Sequence, residues 1–340
     1  MSGGSLPRPE ELGRTLIVHH WDADGIASAS LALEYLGDQA ELYVPPLGFY
    51  FLPSREVDSL SGLGEFDSLM VLDMAMTVDS IRDAAAAVGA EKVVLVDHHV
   101  RDADELPSEW VSLIDTSQPA TSWHVTRLLG MEPDVRSAVG AAGDLGPTLR
   151  ERPIFREIKP VLSKSGLTLD ELLRLAKLLD SSYRVGDRGG VREAVLILTE
   201  RRREPRALLE EADWIDKLRS AEEELERVLR EARVEYFGDL VYAEFESSHM
   251  LISSVGRRLA WCRERAAVLV LNKRWREGYA QMYARVKGVD VDLTGLVRLA
   301  NEAGYQAGGK RESMGVILPS ADAEGFARTA LEWLRGRLGR

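Results

Sequence analysis

The sequence predicts an α/β protein whose N-terminal part contains a parallel sheet. Short apolar segments alternate with segments of helical periodicity between residues 15 and 129, and this rhythm implies right-handed crossovers between parallel strands. Several apolar segments also end in aspartate or histidine, and such sheets bind ligands at the carboxyl ends of their strands. We therefore expect a functional site at that edge, and a second, smaller α/β domain in the C-terminal part.

The composition favours a metal-dependent enzyme that handles anions. The 340 residues carry a net charge of −12, with 27 basic and 42 acidic side chains in residues 1–234 and 16 and 13 in residues 235–340. A protein that coats duplex DNA would be basic throughout. The single cysteine, Cys262, excludes an intrachain disulfide and a thiolate zinc cluster. No apolar run reaches the ~20 residues of a membrane span, and the N-terminal segment lacks the apolar core of a signal peptide, so we expect a cytoplasmic protein.

The first predicted strand, residues 16–18, leads into a candidate metal site. His20, Asp22 and Asp24 follow at a spacing of two, which places them on one side of an extended backbone. Neighbouring carboxylates repel each other unless a cation lies between them, and Gly25 lets the backbone approach such a cation before the helix predicted at 26–36. An acid that caps this helix is the alternative interpretation.

Later strands repeat this arrangement. Strands are predicted at residues 41–46, 68–73, 92–99 and 110–115, with helices at 81–88 and 120–129, the second of which is opened by Thr121 and Ser122. One strand ends at Asp73 and the next at Asp97, His98 and His99. Because separate strands bring acids and imidazoles to the same edge, we interpret them as parts of one site.

The chain then becomes mostly helical. A helical segment that begins near Asp134 places Asp144 next to glycine and among mostly apolar residues. A lone acid in such surroundings usually has a partner or a metal, and an acid at a helix C-terminus is the alternative. Further helices are predicted at residues 154–180 and 189–199.

A charged amphipathic helix is predicted at residues 201–236, as the connector between an N-terminal domain (1–200) and a C-terminal domain (237–340). The C-terminal domain has predicted strands at 239–245, 266–272 and 278–287, helices at 249–263 and 292–303, a Gly-Gly turn within 307–319 that runs into a strand, and a closing helix that ends near residue 338.

These motifs resemble the DHH phosphoesterase superfamily, which includes RecJ-type exonucleases, nano-RNases, cyclic-dinucleotide phosphodiesterases and manganese pyrophosphatases. The resemblance rests on HxDxDG at residues 20–25, Asp73, DHH at 97–99, GD at 143–144 and the late Gly-Gly turn. It covers nearly the whole chain and is closest to compact archaeal RecJ-like proteins. It implies a parallel-sheet DHH catalytic domain joined by a long helix to a DHH-associated C-terminal domain, with a cleft between them.

The resemblance also implies two groups of metal ligands that Asp73 bridges. The ligands of one ion would be His20 and Asp22, and those of the other Asp24, His98 and Asp144. Carboxylate and imidazole ligands suit Mn²⁺, which the resemblance also implies, with Mg²⁺, Co²⁺ or Zn²⁺ as alternatives. Two such ions about 3.5–4 Å apart can activate a bridging water.

Three neighbouring side chains receive other roles from the resemblance. Asp97 would orient the imidazoles, and His99 would face the scissile phosphate, so that the candidate catalytic residues are Asp73, Asp97, His98 and His99. His19 is expected to be structural.

Substrate-binding candidates lie in the C-terminal domain. In the family, the glycine turn commonly continues into a histidine, whereas here Gly308 and Gly309 are followed by Lys310 and Arg311. The glycine amides can hold a terminal phosphate, with the two basic residues as countercharges, although a charged hairpin tip is the alternative. Arg257 is a further candidate, or a surface residue. Base stacking or a core position is expected for Trp261, Trp275 and Tyr279.

The predicted function is a Mn²⁺-dependent phosphodiesterase that trims single-stranded nucleic acid or short oligonucleotides from one end, as an exonuclease. The alternatives are a small-molecule phosphoesterase acting on a nucleoside 3′,5′-bisphosphate or a cyclic dinucleotide, and a non-catalytic replication-fork scaffold. Inactive relatives tend to lose ligands, whereas all positions are filled here. The expected partners are single-stranded DNA or RNA and replication or repair proteins, with no membrane.

Overall fold

The computed structural model describes residues 6–99 and 106–338, which fall into two compact units. Unit 1 comprises Met1–Tyr183 and Asp187–Leu218, and unit 2 comprises Arg184–Gly186 and Arg219–Arg340. Within the described ranges, no helix has both the length and the apolar character that a membrane crossing requires.

A parallel sheet forms the centre of unit 1, which confirms the predicted α/β class. Its strands are β1 (Thr15–His19), β2 (Ala40–Tyr43), β3 (Ser68–Leu72), β4 (Lys92–Asp97) and β5 (Val111–Ile114). They pair in the order β2-β1-β3-β4-β5, all parallel. Every residue of β1 and β3 is buried, because helices cover both faces of a parallel sheet. The carboxyl ends of the three central strands therefore meet at one edge.

Helices surround this sheet, and α2 is the one that begins at the edge. The helices of the unit are α1 (Pro9–Leu12), α2 (Ala23–Leu36), α3 (Ser54–Ser61), α4 (Val78–Ala87), α5 (Thr121–Leu128), α6 (Val135–Leu145), α7 (Phe155–Ser165), α8 (Leu169–Leu179), α9 (Ser181–Arg184, which reaches unit 2), α10 (Arg188–Glu200) and α11 (Pro205–Leu208), with 3₁₀ segments at Gly37–Gln39 and Gly146–Glu151. Helices α5, α6 and α10 pack against α2. The first ten residues of α2 are all buried, which is possible because most of them are alanine, serine or glycine.

The predicted continuous helix at residues 201–236 is wrong at both ends. A turn at residues 201–203 and the short α11 precede α12 (Ala212–Glu231), and the chain then forms β6 (Arg233–Phe237). Pro205 lacks an amide hydrogen and is placed at the first position of a new helix. Val234, Tyr236 and Phe237 favour a strand, and β6 pairs with the following strand.

Unit 2 contains a mixed sheet with helices on both faces. Its further strands are β7 (Leu240–Phe245), β8 (Ala266–Arg276), β9 (Tyr279–Lys287), β10 (Gln306–Lys310) and β11 (Ser313–Pro319), and its helices are α13 (Ile252–Trp261), α14 (Thr294–Glu302) and α15 (Ala323–Leu338). The order is β10-β11-β9-β8-β7-β6. Strands β7 and β8 are parallel, and the other pairs are antiparallel. Separate apolar clusters lie on the two faces.

The expected Gly-Gly turn is also wrong. Gly308 and Gly309 lie within β10, and the turn of the β10–β11 hairpin consists of Arg311 and Glu312. Glycine is required at position 309 by close packing, since a Cβ there would lie 2.4 Å from the carbonyl oxygen of Ser313. Gly309 therefore lets β10 pack closely against β11, and neither glycine reverses the chain.

Candidate metal centre

One edge of the unit 1 sheet collects the acidic and imidazole side chains that the sequence singled out. The ends of β1, β3 and β4 deliver most of them, and α6 supplies the last. Three overlapping groups have ligand atoms within 4.8 Å of one another: His20, Asp22 and Asp73; Asp24, His98 and Asp144; and Asp73, His98 and His99. Every predicted metal ligand thus lies in at least one group that can hold a cation.

Asp73 connects the two principal groups. In the first group, His20 Nδ1 lies 2.9 Å from Asp22 Oδ1 and 3.9 Å from Asp73 Oδ2. In the second group, His98 Nε2 lies 3.1 Å from Asp144 Oδ2 and 3.7 Å from Asp73 Oδ1. The two carboxylate oxygens of Asp73 therefore face different groups, as a bridging ligand requires.

The backbone of Asp73 is held in an unusual conformation. With φ 57°, it is the one residue other than glycine that has a positive φ in the described part of the chain. Its amide donates to the carbonyl oxygen of Val96 (3.0 Å), and its side chain is buried. Such strain persists only where the surrounding structure enforces it, and it is concentrated at functional sites. The backbone conformation at the end of β3 thus places this carboxylate between the two groups.

The segment from His20 to Asp24 does not continue the strand, contrary to expectation. Asp22 is the N-cap of α2, where its Oδ1 accepts a hydrogen bond from the Gly25 amide (3.1 Å), and Asp24 lies in the first helical turn. Asp22 therefore combines the two roles that were considered as alternatives, because it caps the helix and also faces His20. Gly25 serves close packing, since a Cβ there would lie 2.3 Å from the carbonyl oxygen of His20.

Asp24 is held by the start of another helix. Its two carboxylate oxygens accept hydrogen bonds from the backbone amides of Thr121 (2.6 Å) and Ser122 (2.9 Å), the first residues of α5. The Thr121 hydroxyl donates to Asp73 Oδ1 (2.7 Å). Gly140 on α6 leaves the necessary room, since a Cβ there would lie 2.3 Å from Asp24 Oδ1. The position of the carboxylate thus depends on helix termini distant in the sequence.

Asp97 arranges the DHH segment. Its Oδ1 accepts hydrogen bonds from the backbone amides of His98 (2.7 Å) and His99 (3.0 Å) and lies 2.8 Å from His99 Nδ1. The His99 side chain remains 51% exposed. Asp97 therefore fixes the orientation of the exposed His99 ring through Nδ1.

His19 lies inside the unit. It is buried, and its Nδ1 lies 2.7 Å from the carbonyl oxygen of His20. Burial lowers the pKa of His19 to about 4, so the ring is neutral near neutral pH. This environment agrees with a structural role.

Two contacts at the centre were missed by sequence reasoning. Asp180, directly after α8, accepts a hydrogen bond at Oδ1 from the Ala23 amide (2.9 Å), at the start of α2. Tyr50, in the loop between β2 and α3, lies beside His20. Neither residue belongs to a recognisable motif, and only the folded chain brings them to the edge.

The centre concentrates negative charge. Burial and repulsion by neighbouring carboxylates raise the pKa of Asp73 well above its usual range. Burial and the Asp144 charge raise the pKa of Asp24 to about 6. Although burial opposes it, Asp144 raises the pKa of His98 to about 9. Clustered carboxylates that resist ionisation are stabilised by a cation, whose binding then releases protons.

The donor atoms themselves fit a cation. Two buried ring nitrogens, His20 Nδ1 and His98 Nε2, lack hydrogen-bond geometry to any partner in the described residues, although carboxylate oxygens lie 2.9 Å and 3.1 Å away. Nitrogen and oxygen lone pairs that converge in this way match the mixed imidazole and carboxylate sets of divalent metal sites. The chain therefore provides two adjacent sets of ligand atoms with a common carboxylate.

The metal-free protein is expected to lose stability as the pH rises from about 7 to about 9. The pKa of His98 is about 9 in the folded protein and about 6.5 when unfolded. The folded state therefore binds more protons than the unfolded state in this range. The stabilisation by protonated His98 is complete below the pKa of the unfolded state and is lost as the pH rises through the pKa of the folded state. Between about pH 7 and about pH 9, these pKa values correspond to a loss of roughly 2 kcal/mol in the free energy of unfolding. Urea unfolding in EDTA at several pH values measures this loss, and in H98N the free energy of unfolding should depend less on pH. Equal slopes in both proteins would contradict this assignment.

The predicted substrate-binding residues lie in unit 2. Gly308, Gly309 and Lys310 belong to the edge strand β10, and all three are exposed. Arg311, which is more than half exposed, is paired with Asp290 (2.6 Å) and lies 3.7 Å from Asp292.

Two other candidates in unit 2 differ in accessibility. Arg257 lies exposed on α13. Trp275 is 1% exposed, with Nε1 3.0 Å from Met250 Sδ, so this indole belongs to the core and not to a stacking surface.

Comparisons with known proteins agree with this architecture. Residues 14–143 match the DHH family, N-terminal domain, which confirms the resemblance. A structure described as the DHH domain of a protein from a family of ribosomal proteins is similar with a TM-score of 0.67 and 15% identity, over 96% of this chain and 87% of that one. No curated protein sequence matches the chain.

Two RecJ structures are also similar. RecJ from Thermus thermophilus in complex with Mn²⁺ has a TM-score of 0.63 and 17% identity, over 94% of this chain but only 51% of that protein. An exonuclease RecJ bound to manganese has a TM-score of 0.62 and 17% identity, over 94% of this chain and 90% of that one. At such identities the likeness establishes the fold.

Proposed function

We propose that this chain, whose residues 14–143 match the DHH family, N-terminal domain, is a two-metal phosphodiesterase that hydrolyses single-stranded nucleic acid or short oligonucleotides from one end. The observation that carries the proposal is the position of Asp73, whose oxygens lie 3.9 Å from His20 Nδ1 and 3.7 Å from His98 Nε2. Two ligand groups with a common carboxylate are the arrangement that metal-assisted phosphoryl transfer uses.

The residues have distinct roles in this proposal. His20 and Asp22 would hold one cation, Asp24, His98 and Asp144 would hold the second, and Asp73 would contribute its carboxylate to both groups. A pair of divalent cations at such a site supplies an activated water and stabilises the charge that develops on the phosphate.

Other side chains keep this set in place. The amides of Thr121 and Ser122 fix Asp24, and Asp97 fixes the ring of His99. His99, exposed beside Asp73 with Nδ1 3.8 Å from Asp73 Oδ1, is placed to donate a hydrogen bond to a phosphate oxygen or to the leaving oxygen.

Mn²⁺ is the cation we propose, because it suits this ligand set and is bound in two of the similar RecJ structures, whereas a third is in complex with Mg²⁺. Mg²⁺ and Co²⁺ accept similar oxygen and nitrogen ligands. In unit 2, Gly308, Gly309 and Lys310 are proposed to bind the substrate, with Arg257 and Arg311 as further cationic candidates.

A substrate panel with metal omission tests the function. Oligonucleotides of DNA and RNA labelled at either end, dinucleotides, a cyclic dinucleotide and 3′-phosphoadenosine phosphate are incubated with Mn²⁺, Mg²⁺, Co²⁺ or EDTA. We expect mononucleotides to be released from single strands with Mn²⁺ and no reaction in EDTA. Turnover of the bisphosphate or the cyclic dinucleotide alone would contradict the exonuclease activity. If no phosphoester is hydrolysed and a pulldown recovers replication proteins, the scaffold alternative is correct.

A further inference from the structure

Tyr50 is an exposed aromatic side chain beside the candidate metal centre. Its ring stacks on that of His20, with centroids 5.9 Å apart and an interplanar angle of 24°, and its hydroxyl lies 3.4 Å from His20 Nε2. The other nitrogen of the same imidazole, Nδ1, faces Asp22 and Asp73. Tyr50 and the first ligand group therefore lie on opposite edges of one ring.

The surrounding structure fixes this ring while leaving it accessible. The buried Trp21 lies against it at 5.5 Å between centroids, and the Tyr50 carbonyl accepts a hydrogen bond from the Thr77 amide (3.3 Å). The neighbours Phe49 and Leu52 are buried and anchor the loop. Tyr50 itself is 46% exposed, so nearly half of the surface of this positioned side chain is open to solvent.

Exposed rings are rare in this unit. Among its described residues, the large hydrophobic side chains that are exposed are Tyr50, Val111 and Leu196. Isolated exposed hydrophobic side chains are common on protein surfaces, so the observation that points to a function is the position of the Tyr50 ring beside His20 and not its exposure alone. Open aromatic faces in proteins that bind single strands serve as platforms for bases.

We propose that Tyr50 stacks on the nucleobase adjacent to the phosphate bound at the centre, and thereby selects nucleotides over phosphoesters without a base. This inference rests on the proposed function and specifies its substrate class. A nucleoside attached to a phosphate held by the His20 group lies within reach of the open ring face. An inorganic polyphosphate or a sugar phosphate offers no π-face, so it gains nothing from Tyr50.

The variants separate stacking from other roles of the residue. Y50L removes the π-system and keeps an apolar side chain of moderate size. Y50F keeps the ring and removes the hydroxyl that approaches His20. L196A is a matched control, because it truncates another exposed hydrophobic side chain of the same unit. Circular dichroism and thermal unfolding verify that each variant is folded.

The test is a calorimetric measurement of the affinity for AMP and for ribose 5-phosphate in the presence of Mn²⁺. We expect the wild type to bind AMP at least about fivefold more tightly than ribose 5-phosphate, as stacking on one base predicts. Y50L should lose this preference by weakening AMP binding alone, while Y50F and L196A keep it.

Three results would overturn the proposal. The first is a wild type without a preference for AMP, including one that binds neither compound. The second is a preference that survives in Y50L. The third is equal weakening of both compounds in Y50L, which would show that Tyr50 acts through His20. Because binding is measured independently of hydrolysis, a wild type that cleaves no phosphodiester contradicts the proposed function and leaves the base preference decidable.

Discussion

Replacement of Asp73 by asparagine is expected to abolish hydrolysis and, at the same time, to stabilise the metal-free protein. The substitution removes the one charge that both ligand groups contact, and the loss of several kcal/mol of transition-state stabilisation corresponds to a rate reduction of about a thousandfold or more. Burial and neighbouring carboxylates raise the pKa of Asp73, so without a cation its ionised form is unfavourable. A neutral amide relieves that repulsion.

Asparagine is the informative substitution at this position. Asp73 has φ 57°, a conformation that asparagine tolerates better than most residues and that alanine would adopt with strain. Single-turnover hydrolysis, Mn²⁺ affinity and thermal unfolding in EDTA are to be compared. D79N is a matched control, since the Asp79 side chain is 90% exposed. Wild-type rates in D73N would refute the two-metal assignment. An unfolding temperature in EDTA that is lower in D73N than in the wild type would refute the expected stabilisation of the metal-free protein.

Replacement of Gly140 by alanine is expected to damage both the fold and the metal centre. A Cβ at this position would lie 2.1 Å from Ser122 Oγ and 2.3 Å from Asp24 Oδ1. Because these atoms are buried where α2, α5 and α6 meet, the helices must move apart, and overpacking of this kind costs roughly 1–3 kcal/mol. Displacement of Asp24 should also weaken Mn²⁺ binding by at least about tenfold.

The loss of stability in G140A should arise from the crowded surroundings of Gly140 and not from the replacement of a glycine as such. In G336A, on α15, the new Cβ meets no atom within 4 Å, so that alanine should stabilise the helix by about 0.5–1 kcal/mol. Urea unfolding and calorimetric Mn²⁺ titration compare the two variants. If G140A binds Mn²⁺ like the wild type, the contact between α6 and Asp24 has no role in the centre.

The sheet edge could be predicted from sequence because each part of it has a local signal. The apolar runs before His20, Asp73 and Asp97 are long enough to read as buried strands, and parallel topology places their ends together. The division of the ligands into two groups came from the resemblance to the DHH superfamily. Asp144 was identifiable because it is the one acidic residue in the segment that forms α6.

Other features depend on contacts that no local pattern reveals. The amides that hold Asp24 come from α5, 97 and 98 residues later in the chain, and Tyr50 reaches His20 from an irregular loop. Residues 233–237 were misassigned because their charges fit the preceding amphipathic pattern, whereas pairing with β7 determines their structure. Tertiary pairing outweighs local periodicity in such segments.

The double role of Asp22 has a consequence for sequence variation among homologues. Serine, threonine or asparagine would cap α2 about as well, so a relative carrying one of them would fold normally. It would lose the carboxylate that lies 2.9 Å from His20 Nδ1. Such substitutions at position 22 therefore leave folding intact. The residue at this position distinguishes relatives that have kept the carboxylate from relatives that have kept only the fold.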